Sequence, residues 1–270
     1  LCGYASGLQY RIADFAATLP AADESAIVAA MADQAEVELL HRGVPSIAAG
    51  RRFAALAPWY CVLMHCAALA LLASVLRLGT PAESIVAERA RHIHEHAALW
   101  RAGWITWMLA ATSIVAFYAW WAARSGPQQA AKYAVLIAAA GMACDFLGES
   151  ILAFVLVDRA ALVASQATSA MPTAAASAVE SFLSAERVAT LLTAGLANLL
   201  YTLGGIVLTL GTPGLPAWVR VAMWMTWLAG LLMSVAAAIG SVPGIVVTTT
   251  VLFPLLIVWV TWMGGCWRRT

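Results

Sequence analysis

The sequence predicts an all-α fold, a polytopic membrane helix bundle of about six transmembrane helices with an N-terminal amphipathic extension. Three observations carry that expectation. Hydrophobic residues make up 63% of the 270 and charged residues only 11%, where soluble domains average about a quarter charged. Mean hydropathy is +0.83. Six apolar runs each reach the roughly 20 residues that a helix needs to cross a hydrocarbon core, and at that depth the backbone must satisfy itself as helix.

A net charge of +1 offers no basic surface of the kind that captures nucleic acid. The expected partner is the lipid bilayer, with other membrane subunits or a second copy of the chain able to cover apolar faces. The cysteines are scattered and mostly inside apolar runs, without CxxC or CxxCH. Buried reduced thiols are expected, and the c-type haem motif is missing. No signal-peptide pattern opens the chain.

Residues 1–50 differ in kind, with Asp14, Asp23, Glu24, Asp33, Glu36 and Glu38 around a helical stripe of Val28, Met31, Ala35 and Leu39. They read as an amphipathic extension lying on the membrane face or a neighbouring span, and residues 51–270 as the bundle. The first span is expected from about Phe53 to Leu76, with Cys61 and His65 one turn apart.

The connection to the second span, at about Leu99 to Ala123, carries TPAE and then ERARHIHEHAALWRAGW. Thr80 as N-cap, Pro81 at the first helical position and Glu83 after it predict a helix start. From there a helix would run on into the span. Glu88, Arg91, His92, Glu95 and His96 project to one face, and Val86, Ala90, Ile93, Ala97, Trp100 and Trp104 to the other, as in an amphipathic helix entering a membrane.

His92, Glu95 and His96 also fit HxxEH, the helical pattern of inverted zinc peptidases. This makes zinc or iron a candidate cofactor. A catalytic site needs a third protein ligand, and His41 and His65, the histidines outside the segment, are expected on the other membrane face and at mid-depth.

The third span, about Lys132 to Val157, contains GMACDFLGES, which sets Asp145 and Glu149 one turn apart on one face. Such charges cost about 2.5 to 3.5 kcal/mol each at mid-membrane, so they must face protein or water. Ala138, Gly141 and Gly148 share that face and allow a close helix neighbour. Residues 158–187 are expected as an outer loop with a short helix capped by Ser177 and Glu180.

The fourth span, about Val188 to Gly211, places Asn198, Tyr201 and Gly205 on one stripe. The prolines of TPGLPAW then turn the chain into the last two spans, about Leu215 to Ile239 and Ile245 to Gly264. Centring each span in the bilayer brings His65, Asp145, Asn198 and Tyr201 to a common depth.

Eight Lys or Arg residues near span ends fall on the side of both termini and six on the other, a bias that puts the termini inside. Trp59, Trp100, Trp104, Trp120, Trp121, Trp218, Trp262 and Trp267 lie near span ends, where indoles serve as interfacial anchors.

HAALWRAGWITWML, followed by GLANLLYTLGGIVLTLGTPGLPAWVR, resembles bacterial multi-span membrane proteins of the DUF4386 type over about residues 55–240. The resemblance implies a similar order of spans in a bacterial cytoplasmic membrane and carries over no site residues. From the residues themselves, the leading expectation is proton-linked transport through Asp145, Glu149 and His65, oriented by Asn198 and Tyr201. The alternatives are a non-catalytic accessory subunit of a larger membrane complex and a membrane metalloenzyme at His92, Glu95 and His96. The balance leans away from an enzyme.

Overall fold

A computed structural model describes residues 45–125, 128–166 and 172–266, with side chains from residue 56 onward except at 128. The acidic stripe of the N-terminal extension and Trp267 lie outside those residues. The chain divides into two units, Leu1–Arg52 and Phe53–Thr270, and the membrane-spanning helices belong to the second.

All regular structure among the described residues is helical. Helix α1 (Pro45–Leu71) continues through a π turn, Leu72–Leu76, and a 3₁₀ turn, Arg77–Gly79. Helix α2 (Val86–Glu95) precedes α3 (Ala97–Ala122). Helix α4 (Gln128–Ser150) joins α5 (Leu156–Gln166) through the π turn Ile151–Val155. Helix α6 (Pro172–Thr190) joins α7 (Asn198–Leu210) through the π turn Leu191–Ala197. Helices α8 (Ala217–Ala238) and α9 (Val242–Cys266) close the order.

Six stretches among the described residues are long and apolar enough to cross a membrane: Leu56–Gly79, Ala97–Ala122, Gln129–Gln166, Pro172–Leu210, Ala217–Ala238 and Val242–Cys266. The protein is thus an all-α, multi-pass membrane helix bundle. Its outward surface is apolar, as lipid requires, with Leu136, Val221, Leu232, Val235 and Val258 all exposed.

The third and fourth stretches correct the expected boundaries. A 38-residue helical run is about 57 Å long at 1.5 Å per residue, almost twice the hydrocarbon thickness of about 30 Å. In place of an outer loop at 158–187, α5 and α6 carry the two spans onward as helices. The cause is a stripe that persists through the charged pair Asp158 and Arg159. Leu156, Val157, Ala160 and Val163 are buried, packed with Ala90 and Ile93 of α2 and Phe182 of α6. Ser177 lies inside α6 and caps nothing, because Pro172 already stands where the helix begins, a position that suits its fixed φ.

The start of α2 is also later than TPAE suggests. The Thr80 hydroxyl donates to the Arg77 carbonyl at 2.8 Å, closing the 3₁₀ turn. The helix begins at Val86 behind an extended Ile85. It stops at His96, whose φ of −115° and ψ of 28° break it from α3. That break lets α2 turn its own apolar side toward α5, burying Ala90, Ile93 and the charged Arg89.

Three apolar clusters form among the described residues. One gathers α2, α5, α6 and the near ends of the spans. A second gathers Phe117, Tyr118, Trp120 and Trp121 of α3 with Trp227 and Trp259 of α8 and α9, and a small third gathers Ala229 and Met233 of α8 with Leu252 of α9. Trp100, Trp120 and Trp121 are therefore buried core residues and not interfacial anchors, whereas Trp59 and Trp218 are exposed.

Three buried indoles are matched by threonine hydroxyls: Trp121 donates to Thr212 at 2.9 Å, Trp227 to Thr209 at 2.9 Å and Trp259 to Thr226 at 3.1 Å. Interhelical hydrogen bonds of this kind hold bundles together where apolar packing alone gains little over lipid. Thr212→Val leaves the Trp121 N–H without its acceptor, and we expect a loss of about 1–2 kcal/mol. A lowered unfolding midpoint in detergent would show it; an unchanged midpoint would count against this role.

Candidate functional site

A pocket of about 180 Å³ is lined by side chains of α1, α3, α4, α7, α8 and α9. Its position follows from glycine. A Cβ at Gly141 would stand 3.1 Å from the Ala197 carbonyl oxygen and from the Tyr201 ring, and one at Gly148 would stand 2.6 Å from the Thr193 methyl. The missing side chains let α4 approach the α6–α7 run closely, and Asp145 and Glu149 flank that seam.

All five residues expected to form a mid-membrane polar cluster line this pocket: His65 from α1, Asp145 and Glu149 from α4, and Asn198 and Tyr201 from α7. Two π turns bracket them, Ile151–Val155 just after Glu149 and Leu191–Ala197 just before Asn198. Such turns recur at functional sites because the extra residue re-aims the side chains beyond it.

Tyr201 orients Asp145 as expected, whereas His65 and Asn198 take other partners. The Tyr201 hydroxyl donates to Asp145 Oδ2 at 3.1 Å, and the Tyr118 hydroxyl donates to the Tyr201 carbonyl at 2.8 Å. His65 turns back on its own helix, its Nδ1 lying 2.8 Å from the Cys61 carbonyl oxygen. A carbonyl only accepts, so Nδ1 carries the proton and Nε2 is left as the ring's acceptor. The ring rests 5.6 Å from that of Phe253 on α9.

Asn198 does not orient the acids. Its amide nitrogen donates to the Gly230 carbonyl at 2.6 Å and to the Ser234 hydroxyl at 2.9 Å, tying α7 to α8. The signal for this lay in sequence only as a polar residue on a small-residue stripe, which names no partner.

Glu149 is 2% exposed, and its Oε2 has no hydrogen-bond partner among the described residues. The same holds for the indole nitrogens of Trp104 and Trp107, both of which line the pocket with Phe253, Trp227 and Thr249. No lysine or arginine is among the lining residues. Two carboxyl groups thus share a largely apolar enclosure without a fixed counter-ion among the described residues. Burying them charged and unpaired is prohibitive, so a proton or a mobile cation must neutralise them.

The HIHEH segment is put to a different use. The His92 and His96 rings stack at 4.6 Å, His92 Nε2 lies 2.9 Å from the Val75 carbonyl oxygen, and Glu95 is exposed. The nitrogen that HxxEH would give to a metal ties α2 to the end of the first span. Among the described residues, no group of three or more His, Cys, Asp or Glu side chains is placed to hold a metal ion.

The feature least visible in the sequence is the ion pair of Arg89 with Glu186, both buried, with the guanidinium 5.5 Å from the centre of the Phe182 ring. It fastens α2 to α6. Compared with known proteins, the chain matches no protein-family model, no curated protein and no solved structure.

Proposed function

We propose that the pocket is the proton-carrying site of a proton-linked membrane transporter, with Asp145 as the main titrating group and Glu149 as the second acid. The observation that carries this reading is the unpartnered Oε2 of Glu149 beside Asp145 in an enclosure to which the described residues bring no lysine or arginine. A permanently structural pair would be expected to use up its hydrogen-bonding capacity.

The other titratable groups facing the pair are Cys61 and His65 from α1, Tyr118 from α3 and Tyr201 from α7; α8 and α9 contribute Thr226 and Thr249. Tyr201 holds one oxygen of Asp145, and the Nε2 of His65 is free of the Cys61 carbonyl that takes up Nδ1. The protein would sit in a bacterial cytoplasmic membrane with both termini inside, in line with the arginines of GRR and CWRRT.

A hydrophobic carbodiimide, which adds to protonated carboxyl groups within membranes, tests the reading. Labelling of the peptide containing Asp145 and Glu149, read by mass spectrometry, should accelerate as pH falls and disappear in Asp145→Asn with Glu149→Gln. Absence of labelling at every pH would contradict it. An accessory subunit predicts instead stable co-purification with other membrane chains and indifference to both substitutions.

A further inference from the structure

A second cavity of about 530 Å³ adjoins the first. The two share Leu72, Trp104, Thr193, Ala194, Ile245 and Thr249 as lining, so they meet along these side chains. The larger cavity is a groove between the end of the first span and the start of α9, closed behind by Trp100 and Leu156. Ala73, Val246, Thr250 and Pro254 line it and are exposed on membrane-spanning stretches, so it opens on the lateral surface of the bundle. Pro254 lies within α9, where the missing N–H and the ring clash weaken the helix next to the opening.

Charge is distributed unevenly along this path. Arg77 stands at the groove, whose one acid, Glu186, is already paired with Arg89. At the inner end stand Asp145 and the unpartnered Glu149, with the rings of Trp104, Trp107, Phe253 and Tyr201 around them. A positive head would be repelled at Arg77 and drawn inward, where carboxylates and aromatic faces both favour it; cation–π contacts add about 0.5–2 kcal/mol each when desolvated. An anion would meet the reverse gradient.

We propose that the two cavities form one binding site for a lipophilic organic cation, with its apolar body in the groove and its charged head at Asp145 and Glu149. The proposal rests on the proton-carrying reading of the same acids and names its substrate class. The cation enters from the bilayer and takes the place of the neutralising proton. Binding and protonation of the pair are then mutually exclusive, which is the minimal requirement for exchanging one for the other.

The test compares tetraphenylphosphonium with tetraphenylborate, ions of like size and opposite charge, in equilibrium dialysis against the full-length protein in lipid nanodiscs, with empty nanodiscs subtracted. We expect saturable binding of the phosphonium and none of the borate. Affinity for the phosphonium should fall about tenfold or more, equivalent to about 1.4 kcal/mol, in Asp145→Asn with Glu149→Gln. Ile245→Trp, which obstructs the junction of the cavities, should weaken it without touching either acid.

Equal binding of both ions by the wild-type protein would overturn the proposal, as would phosphonium binding unaffected by loss of both acids in a variant that keeps its helical circular dichroism and monodisperse elution. Binding at equilibrium needs no proton movement. A protein whose acids titrate but which ignores the phosphonium would refute the substrate class alone; one that binds it with acids that never titrate would refute the proton linkage alone.

Discussion

Arg89→Met should destabilise the protein by about 3–5 kcal/mol, the typical cost of leaving one member of a buried ion pair without its counter-charge. The Glu186 side chain is only 8% exposed, so its carboxylate is left largely buried when the guanidinium is removed. The loss should be local before it is global, releasing α2 from α5 and α6 while the opposite core of Phe117, Trp121 and Trp259 stays packed. Hydrogen exchange would show accelerated amides over residues 86–95 first. Adding Glu186→Leu to Arg89→Met should restore most of the stability, because an apolar pair of similar volume is often as stable as a buried ion pair. A single variant as stable as the wild type would show that the pair is solvated in the membrane-bound protein.

The second large effect is functional. Asp145→Asn should abolish accumulation of a lipophilic cation driven by a pH gradient in reconstituted vesicles, while the unfolding midpoint moves by no more than about 1 kcal/mol. Asparagine keeps the shape of the side chain and can still accept from the Tyr201 hydroxyl, so the seam between α4 and α7 stays intact. What it loses is the exchangeable proton. Glu149→Gln should reduce accumulation less, since Asp145 remains to carry the proton. Unchanged accumulation in Asp145→Asn would assign the proton to another group or remove proton linkage altogether.

Much of this architecture is legible in the sequence because lipid imposes simple rules. Length and apolarity mark six spans, and the spacing of Asp145 and Glu149 on a glycine-containing face points to a close helical neighbour. Centring the spans brings His65, Asp145, Asn198 and Tyr201 to one depth, and the structure puts all of them around one pocket. Depth, however, carries no azimuth. The Asn198 side chain could not be directed to Gly230 of α8 without knowing which helices are neighbours.

Helices α2, α5 and α6 are harder to read for another reason. Asp158, Arg159 and Glu186 look like loop residues when lipid is assumed on every side, and Arg89 and Glu186 are separated by 97 positions. Only the stripe of Leu156, Ala160 and Val163 hints that α5 continues. The groove between the first span and α9 joins opposite ends of the described bundle, so no local pattern announces it. Trp104 illustrates the limit of an interfacial rule: its indole is an anchor by position, yet its nitrogen is buried and unpartnered at the junction of two cavities.

Infrared difference spectroscopy of the protein in nanodiscs tests the proton-carrying pair most directly, because a protonated carboxyl has its own C=O stretching band. Proton carriage by this pair predicts a carboxylic acid band that shifts in deuterated water and loses intensity as pH rises, with one component missing in Asp145→Asn and another in Glu149→Gln. A spectrum without such a band, or one whose carboxyl components stay constant across the pH range in which the protein remains folded, would contradict it.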